Sequence, residues 1–465
     1  MIARTLSKAF TALRFIHFLA LVIFILAPIP ARAQLPALGE NSATNLEYER
    51  KLGEDFYQQL LARGLIETNP LLDRYINELG NRLLAGIENR ARRYRFFIVK
   101  DPSINAFAVP GGFVGIHVGL INQARTEHQL ASVMAHEIAH IRLRHSLDLL
   151  EKAADINGLT VLSVLAGVLL GGSNAELGSA LIAGGVAGQQ QSLVSFTREN
   201  EYEADRLGIA LLQNAGFDSR GMVEFFQILD RNSDVSELQN IEYLRTHPIN
   251  QNRIAEAQNR VQPIISQDTV TDYFSMFRDF LHDQGDWQFL PSGTDFEKGL
   301  SYRKQGRYME AHELLSKLYQ QNKENIWYGY AHAQNLENLG RWDEAETVYR
   351  KLLDIFPDDF AVSMQLVQLL KSTKRYEDAL AITRIMESQH PDIADVYARL
   401  SEIYRALERD IQSMIAEAQY HQLTGNYNRA VALYDDILAL KNIDITTVAR
   451  IRQKRAELIE SKTAQ

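Results

Sequence analysis

The sequence predicts a mainly α-helical chain: a helical body holding a small β-sheet, followed by a solenoid of helical hairpins. Three observations carry this. Apolar residues recur at helical spacing over most of the 465 residues. One stretch, "NAFAVPGGFVGIHVGLI" (105–121), changes to two-residue alternation after a Pro-Gly-Gly turn. From residue 306 onward, phrases of one kind return every 34 residues.

The first 33 residues stand apart. Arg4, Lys8 and Arg14 make a basic start, "FLALVIFILAPIP" (18–30) is an apolar core, and "ARA" (31–33) offers small residues where a signal peptidase reads. The apolar core is shorter than the roughly 20 residues of a spanning helix, which favours cleavage before Gln34 over an uncleaved anchor. Cleavage removes Arg4, Lys8, Arg14, Arg32 and no acid, so the net charge of −9 falls by four to −13. An acidic chain without a long basic run excludes nucleic acid as a partner. The chain has no cysteine, which excludes disulfides and thiolate sites and leaves histidine and carboxylate for any metal. An exported, cysteine-free, acidic protein with no stable transmembrane span in its mature chain suits a bacterial periplasm.

Residues 45–100 read as mostly helical, opening on "EYERKLGEDFYQQLLARG" and closing on the apolar run "YRFFIVK" (94–100). The alternation at 113–118 reads as a strand. From Glu127 to about Ala154 the signals are helical again, and "IRLRHSLDLLEKAAD" holds nothing to break the helix. Residues 156–188 are apolar and glycine-rich, interrupted by "GGSNAE", and neither half is long enough to cross a bilayer. They fit a packed helical hairpin, a flap near an active site, or a patch touching membrane or an unfolded client. Another helix runs from about Ser195 to Ala215 and ends at Gly216. More helices follow, with breaks at "RNSDVSELQN" (231–240) and "THPINQNR" (246–253), and "DQGDWQFLPSGTD" (283–295) reads as a linker.

Beyond the linker, "GRYMEAHELLSKLY" begins at 306, "GRWDEAETVYRKLL" at 340 and "KRYEDALAITRIME" at 374. This is the tetratricopeptide pattern: a small polar turn joins two helices, and Ala311, Ala345 and Ala379 let them approach. A further phrase, "GNYNRAVALYDDIL", starts at 425, half a repeat out of phase.

His136, Glu137 and His140 spell H-E-x-x-H within "SVMAHEIAHIRLRHS" (132–146). Helix positions four apart lie about 40° apart around the axis, so the two imidazoles reach one ion from successive turns. Zinc suits two neutral imidazoles plus a carboxylate, and Glu137 is placed to serve as the base of a hydrolysis. His145 falls about 180° from His136 and about 140° from His140, counting about 100° per residue. The glycine that bends the chain toward a third histidine in H-E-x-x-H-x-x-G-x-x-H is Leu143 here, and the eleventh residue is Ser146. His145 therefore reads as a structural residue, and the third ligand lies elsewhere.

The downstream acids compete in "FTRENEYEADRLGIALL" (196–212). A helix that turns Ala204, Gly208 and Leu211 inward also carries Glu201 on that face, with Asp205 one turn on, while Glu199 and Glu203 point outward. Glu201 then ligates the ion, and Asp205 accepts the free N–H of a ligating histidine. The competing reading is a surface charge cluster paired with Arg198 and Arg206.

The quoted residues "NAFAVPGG", "LASVMAHEIAHIRLRH", "RENEYEADRLG" and "THPINQNR" resemble the successive signatures of the gluzincin family containing HtpX and the CAAX prenyl endopeptidases, metallopeptidase family 48. The signal peptide and the tetratricopeptide repeats make the chain similar to that family's soluble periplasmic branch. The resemblance implies a gluzincin metalloprotease domain over 34–285 and a tetratricopeptide domain over 286–465. It implies one Zn2+ per chain on His136, His140 and Glu201, with Glu137 as catalytic base and Asp205 in support. It also implies an endopeptidase acting on unfolded or stalled outer-membrane proteins, docked on the outer-membrane assembly machinery through its repeats, with possible chaperone activity. The alternative is a non-proteolytic chaperone or assembly scaffold whose metal site is structural or vestigial.

Two further readings rest on the residues alone. His247, set in an extended or turn geometry by the following proline, is an oxyanion stabiliser, a fourth ligand that caps the ion, or a structural loop residue. Gly111, Gly112, Phe113, Val114 and Gly115 form either an edge strand that pairs with an extended substrate or an ordinary core strand.

Overall fold

The computed structural model describes residues 43–85, 93–145, 197–233, 241, 243–262, 273–285, 287, 291–440 and 443–463. The expected signal peptide and the glycine-rich 156–188 segment lie outside them.

The described residues from 46 onward form one compact unit. Its first part contains α1 (Ala43–Ala62), α2 (Pro70–Leu84), β1 (Arg95–Val99), β2 (Ala106–Val109), β3 (Phe113–His117), α3 (Val118–Gln123) and α4 (Glu127–Arg142). Then come α5 (Arg198–Asn214), α6 (Arg220–Ser233), the single turn α7 (Tyr243–Thr246), α8 (Gln251–Arg260) and α9 (Tyr273–Gln284). The repeats supply α10 (Asp295–Lys304), α11 (Tyr308–Gln321), α12 (Ile326–Asn338), α13 (Trp342–Ile355), α14 (Phe360–Ser372) and α15 (Tyr376–Gln389). The last four helices are α16 (Ala394–Ala406), α17 (Asp410–Leu423), α18 (Tyr427–Ala439) and α19 (Ile445–Thr463). Among the described residues no helix is long and apolar enough to cross a membrane.

The sheet has the order β1-β3-β2, with β3 parallel to β1 and antiparallel to β2. Phe96 and Ile98 of β1 join Val114 and Ile116 of β3 in the main core with α2 and α4. The alternate residues Phe97 and Val99 turn to the other face, where Leu52, Phe56 and Leu60 of α1 cover them. The sheet is thus buried on both sides, which explains why "FFIV" (96–99) is apolar throughout.

This topology corrects one sequence reading. Phe113, Val114 and Gly115 lie on the central strand, paired on both sides, and all five residues of β3 are buried. Gly111 and Gly112 turn against the backbones of Glu49 and Arg93. Substrate cannot add a strand to Phe113, Val114 or Gly115, because both their sides are already paired.

In the repeats, helices 14 residues long begin at Tyr308, Trp342 and Tyr376, each 34 residues after the last, as the phrases require. Each follows a three-residue turn whose middle residue has positive φ: Gly306, Gly340 and Lys374. Helix-to-next-hairpin links are four residues long up to Ala394, but α16, α17 and α18 are joined by three-residue turns at both junctions. Helix α17 is therefore the second helix of one hairpin and the first of the next. That double use is the half-repeat shift seen at "GNYNRA".

Candidate metal centre

Helix α4 is buried almost around its whole circumference, from Gln129 to Ile141. Thr126 caps its start by accepting the Gln129 N–H, and Glu127 in the first turn accepts the Tyr75 hydroxyl at 2.8 Å. Helix α5 crosses it with Glu201, Ala204, Asp205, Gly208 and Leu211 facing inward. Gly208 packs tightly there: an added Cβ would lie 3.1 Å from the Met222 methyl and 3.3 Å from the His136 backbone nitrogen, so the small residue lets the two helices approach closely. Glu199 and Glu203 are exposed.

His136, His140, Glu201 and His247 each offer one donor atom, all within 4.8 Å of one another and all buried. His136 Nε2 lies 3.0 Å from His140 Nε2 and 3.5 Å from Glu201 Oε2. His140 Nε2 lies 3.3 Å from Glu201 Oε1. His247 Nδ1 approaches Glu201 Oε1 at 3.0 Å and His136 Nε2 at 3.3 Å. The structure brings His247 to this group from the end of α7, where its N–H donates to the Tyr243 carbonyl and its ring stacks on Tyr243 at 4.6 Å. Glu137 stands beside the group, fully buried, with Oε1 3.6 Å from His247 Nε2.

Behind the donors sits Arg253. Its Nε and Nη2 donate to the two oxygens of Asp205 at 2.8 Å each, its Nη1 lies 2.7 Å from Glu201 Oε2, and Nη1 also donates to the Pro248 carbonyl. Asp205 Oδ1 in turn lies 3.0 Å from His136 Nδ1. Nothing in the sequence singles out Arg253 beyond its place in "THPINQNR". The available signal is that its helix buries Arg253, Ile254 and Ala257 on one face, so the cation faces inward with the apolar residues.

The electrostatics follow from burial. Burial disfavours charge on His136, but the carboxylates of Asp205 and Glu201 outweigh it and push the imidazole up to about 10. His140 moves the other way, held well below its usual range by burial. Burial also raises Glu137. Against its own burial, Glu201 is held well below the usual carboxylate range by His247 and the two α4 histidines.

The donor set fits a divalent cation. Glu137, Glu201 and Asp205 are three buried acids, and Arg253 is the buried guanidinium that faces the last two. The buried acids outnumber the buried guanidinium, and nitrogen and carboxylate donors converge without sulfur.

His145 departs from expectation. The helix ends at Arg142 instead of continuing, Leu143 is its cap, and Arg144 takes a positive φ of 62°. No glycine is needed because Arg144 adopts the left-handed conformation itself, tied to the buried Glu49 by an ion pair at 3.1 Å. His145, expected on the opposite face, places Nδ1 3.1 Å from Nδ1 of His140. It is not among the four converging donors.

Known proteins resemble this chain in both of its parts. The family model described as Peptidase family M48 matches residues 70–261, and two tetratricopeptide repeat models match 296–360 and 339–403. The chain is 29% identical to the beta-barrel assembly-enhancing protease of Yersinia pestis over 434 residues, covering 88% of each chain. It is likewise 29% identical to the protein of that name in Escherichia coli K12, covering 86% of each. The mitochondrial metalloendopeptidase OMA1 of Schizosaccharomyces pombe is 28% identical over 218 residues, 46% of this chain and 61% of that one.

Proposed function

From a chain that carries a peptidase family M48 domain with tetratricopeptide repeats behind it, and is a metalloendopeptidase, we propose the following reading: one zinc ion per chain is held by His136, His140 and Glu201, and the enzyme acts on outer-membrane β-barrel proteins during their assembly. The observation that carries the site is the convergence of these donors beside a buried carboxylate, Glu137. Zinc bound there would supply Lewis acidity to a scissile carbonyl and to water.

The protein's own residues do the rest. Glu137, raised by burial, accepts a proton from the attacking water and returns it to the departing amine. Asp205 accepts the Nδ1 proton of His136 and so keeps Nε2 toward the ion. Arg253 fixes the two acids that flank it. His247 shares the donor cluster, which supports its role as a fourth ligand that caps the ion and leaves when substrate enters. Misfolded or stalled clients are the substrates, the repeats dock the enzyme on the assembly machinery, and the work takes place in the periplasm. The name shared by the bacterial relatives supports that setting.

Two experiments test this. Glu137→Gln should keep its zinc and lose about 10²–10⁴-fold in proteolysis of an unfolded substrate such as casein. Full proteolysis by that variant would defeat the reading, and full biological function without proteolysis would favour the scaffold alternative. His247→Ala should change the rate, upward if the residue caps the ion and downward if it stabilises an oxyanion. An unchanged rate would sink both roles.

A further inference from the structure

We propose that His145 is the positioning residue of the metal ligand His140: it accepts that ring's Nδ1 proton and passes the hydrogen-bond chain outward to Glu203. The inference rests on the metal-centre reading and goes beyond it, because it assigns a task to a histidine outside the donor set.

The proton positions follow from valence. A neutral imidazole carries one N–H, so a ring that meets an ion through Nε2 carries its proton on Nδ1. His140 Nδ1–H faces His145 Nδ1 at 3.1 Å, which must then be the acceptor. The proton of His145 is thereby placed on Nε2, and Nε2 faces Glu203 Oε2 at 3.3 Å. Every group in the row has the polarity its neighbour needs. Donation runs from the metal ligand, through a second imidazole, to a carboxylate.

The partner ligand is held by a parallel device. His136 Nδ1 lies 3.0 Å from Asp205, which Arg253 holds. Both outer carboxylates come from α5, two residues apart. Asp205 is buried and reaches its histidine directly, whereas Glu203 leaves 57% of its side chain exposed and needs His145, 3% exposed, to span the gap. A neutral imidazole also suits the place better than another acid. Three carboxylates are already buried around the donors, and a fourth would add charge that the ion and Arg253 could not balance. The tie between Arg144 and Glu49 holds the turn that delivers the ring.

The test uses the full chain and reads zinc affinity by competition with a chromophoric chelator, beside the thermal midpoint of the metal-free protein. His145→Ala should weaken zinc binding about 10–100-fold. His145→Asn should restore most of it, since its side-chain oxygen lies near the lost Nδ1 and accepts the same proton, with a metal-free midpoint close to that of the wild type. Wild-type affinity in the alanine variant, or equal loss in both variants, would overturn the assignment. Should the alanine variant not fold, Glu203→Ala at its exposed site carries the test: faster zinc release supports the relay, and an unchanged release rate overturns it. A wild-type protein that binds no zinc would instead overturn the metal-centre reading itself.

Discussion

Arg253 is the residue on which the buried acids of the metal centre depend. Two carboxylates inside a protein are tolerated only with a partner, and this guanidinium spans both Asp205 and Glu201. Replacing it with methionine should cost about 3–5 kcal/mol in urea unfolding of the metal-free protein, because both acids are left without it. Added zinc should recover part of the loss by binding the folded state. A methionine variant as stable as the wild type would mean that the acids are neutral in the fold. Legibility differs sharply among these residues. His136, Glu137 and His140 are readable because one helix turn joins them in sequence and in space. Glu201 is readable from the inward face of its own helix. Arg253 and His145 are not, since the contacts that define them, to Asp205 48 residues away and to a ring on the far side of the left-handed Arg144, have no local pattern.

The helices of the repeats were legible for a different reason: self-similarity marks the same turn again and again. At the turns between paired helices, Gly306, Gly340 and Gly425 adopt positive φ, and Lys374 (61°) and Glu408 (58°) do so without being glycine. A side chain in that conformation costs about 1–2 kcal/mol. Lys374→Gly or Glu408→Gly should therefore raise stability by up to about 1 kcal/mol after the entropy of glycine is subtracted, while Gly340→Ala should lower it by a similar amount. Thermal midpoints of the three variants check both signs together. Two elements depart from their sequence reading. Arg144 ends α4 in a left-handed turn that no glycine or proline announces, and it does so because a buried glutamate from α1 holds it. Strand β3 alternates as an edge strand would, yet a neighbour on each side makes it central, and pairing partners are a property of the whole sheet.

At the scale of the molecule, the repeats are clamped to the catalytic part through α2. Arg74 of α2 forms an ion pair with Asp359, the residue that caps α14, and Tyr75 stacks on Phe277 of α9 at 4.3 Å with Trp327 at its edge. The join between α9 and α10 is pinned by Asp279, which accepts the hydroxyls of Ser292 and Thr294. Burial, partly offset by those hydroxyls, pushes Asp279 up to about 6 from 3.8. A raised acid binds its proton more tightly folded than unfolded. Its contribution is therefore fully present below about pH 4 and lost as the pH rises through about 6. Asp279→Asn should remove that slope and be the more stable protein at pH 7, by at most about 3 kcal/mol. Parallel pH profiles of the two proteins in urea unfolding would refute this. The shared helix α17 has a further consequence. Its Ala416 belongs to the main core and its Ala418 to a separate terminal cluster with Ala430, Leu433 and Tyr434. Upstream of Ala394, duplication or deletion of a 34-residue block gives every helix back the kind of neighbour it had. Downstream, the same edit removes a helix that two neighbours need, so the array can change length only at its front, and its last helices act as a fixed end-stop.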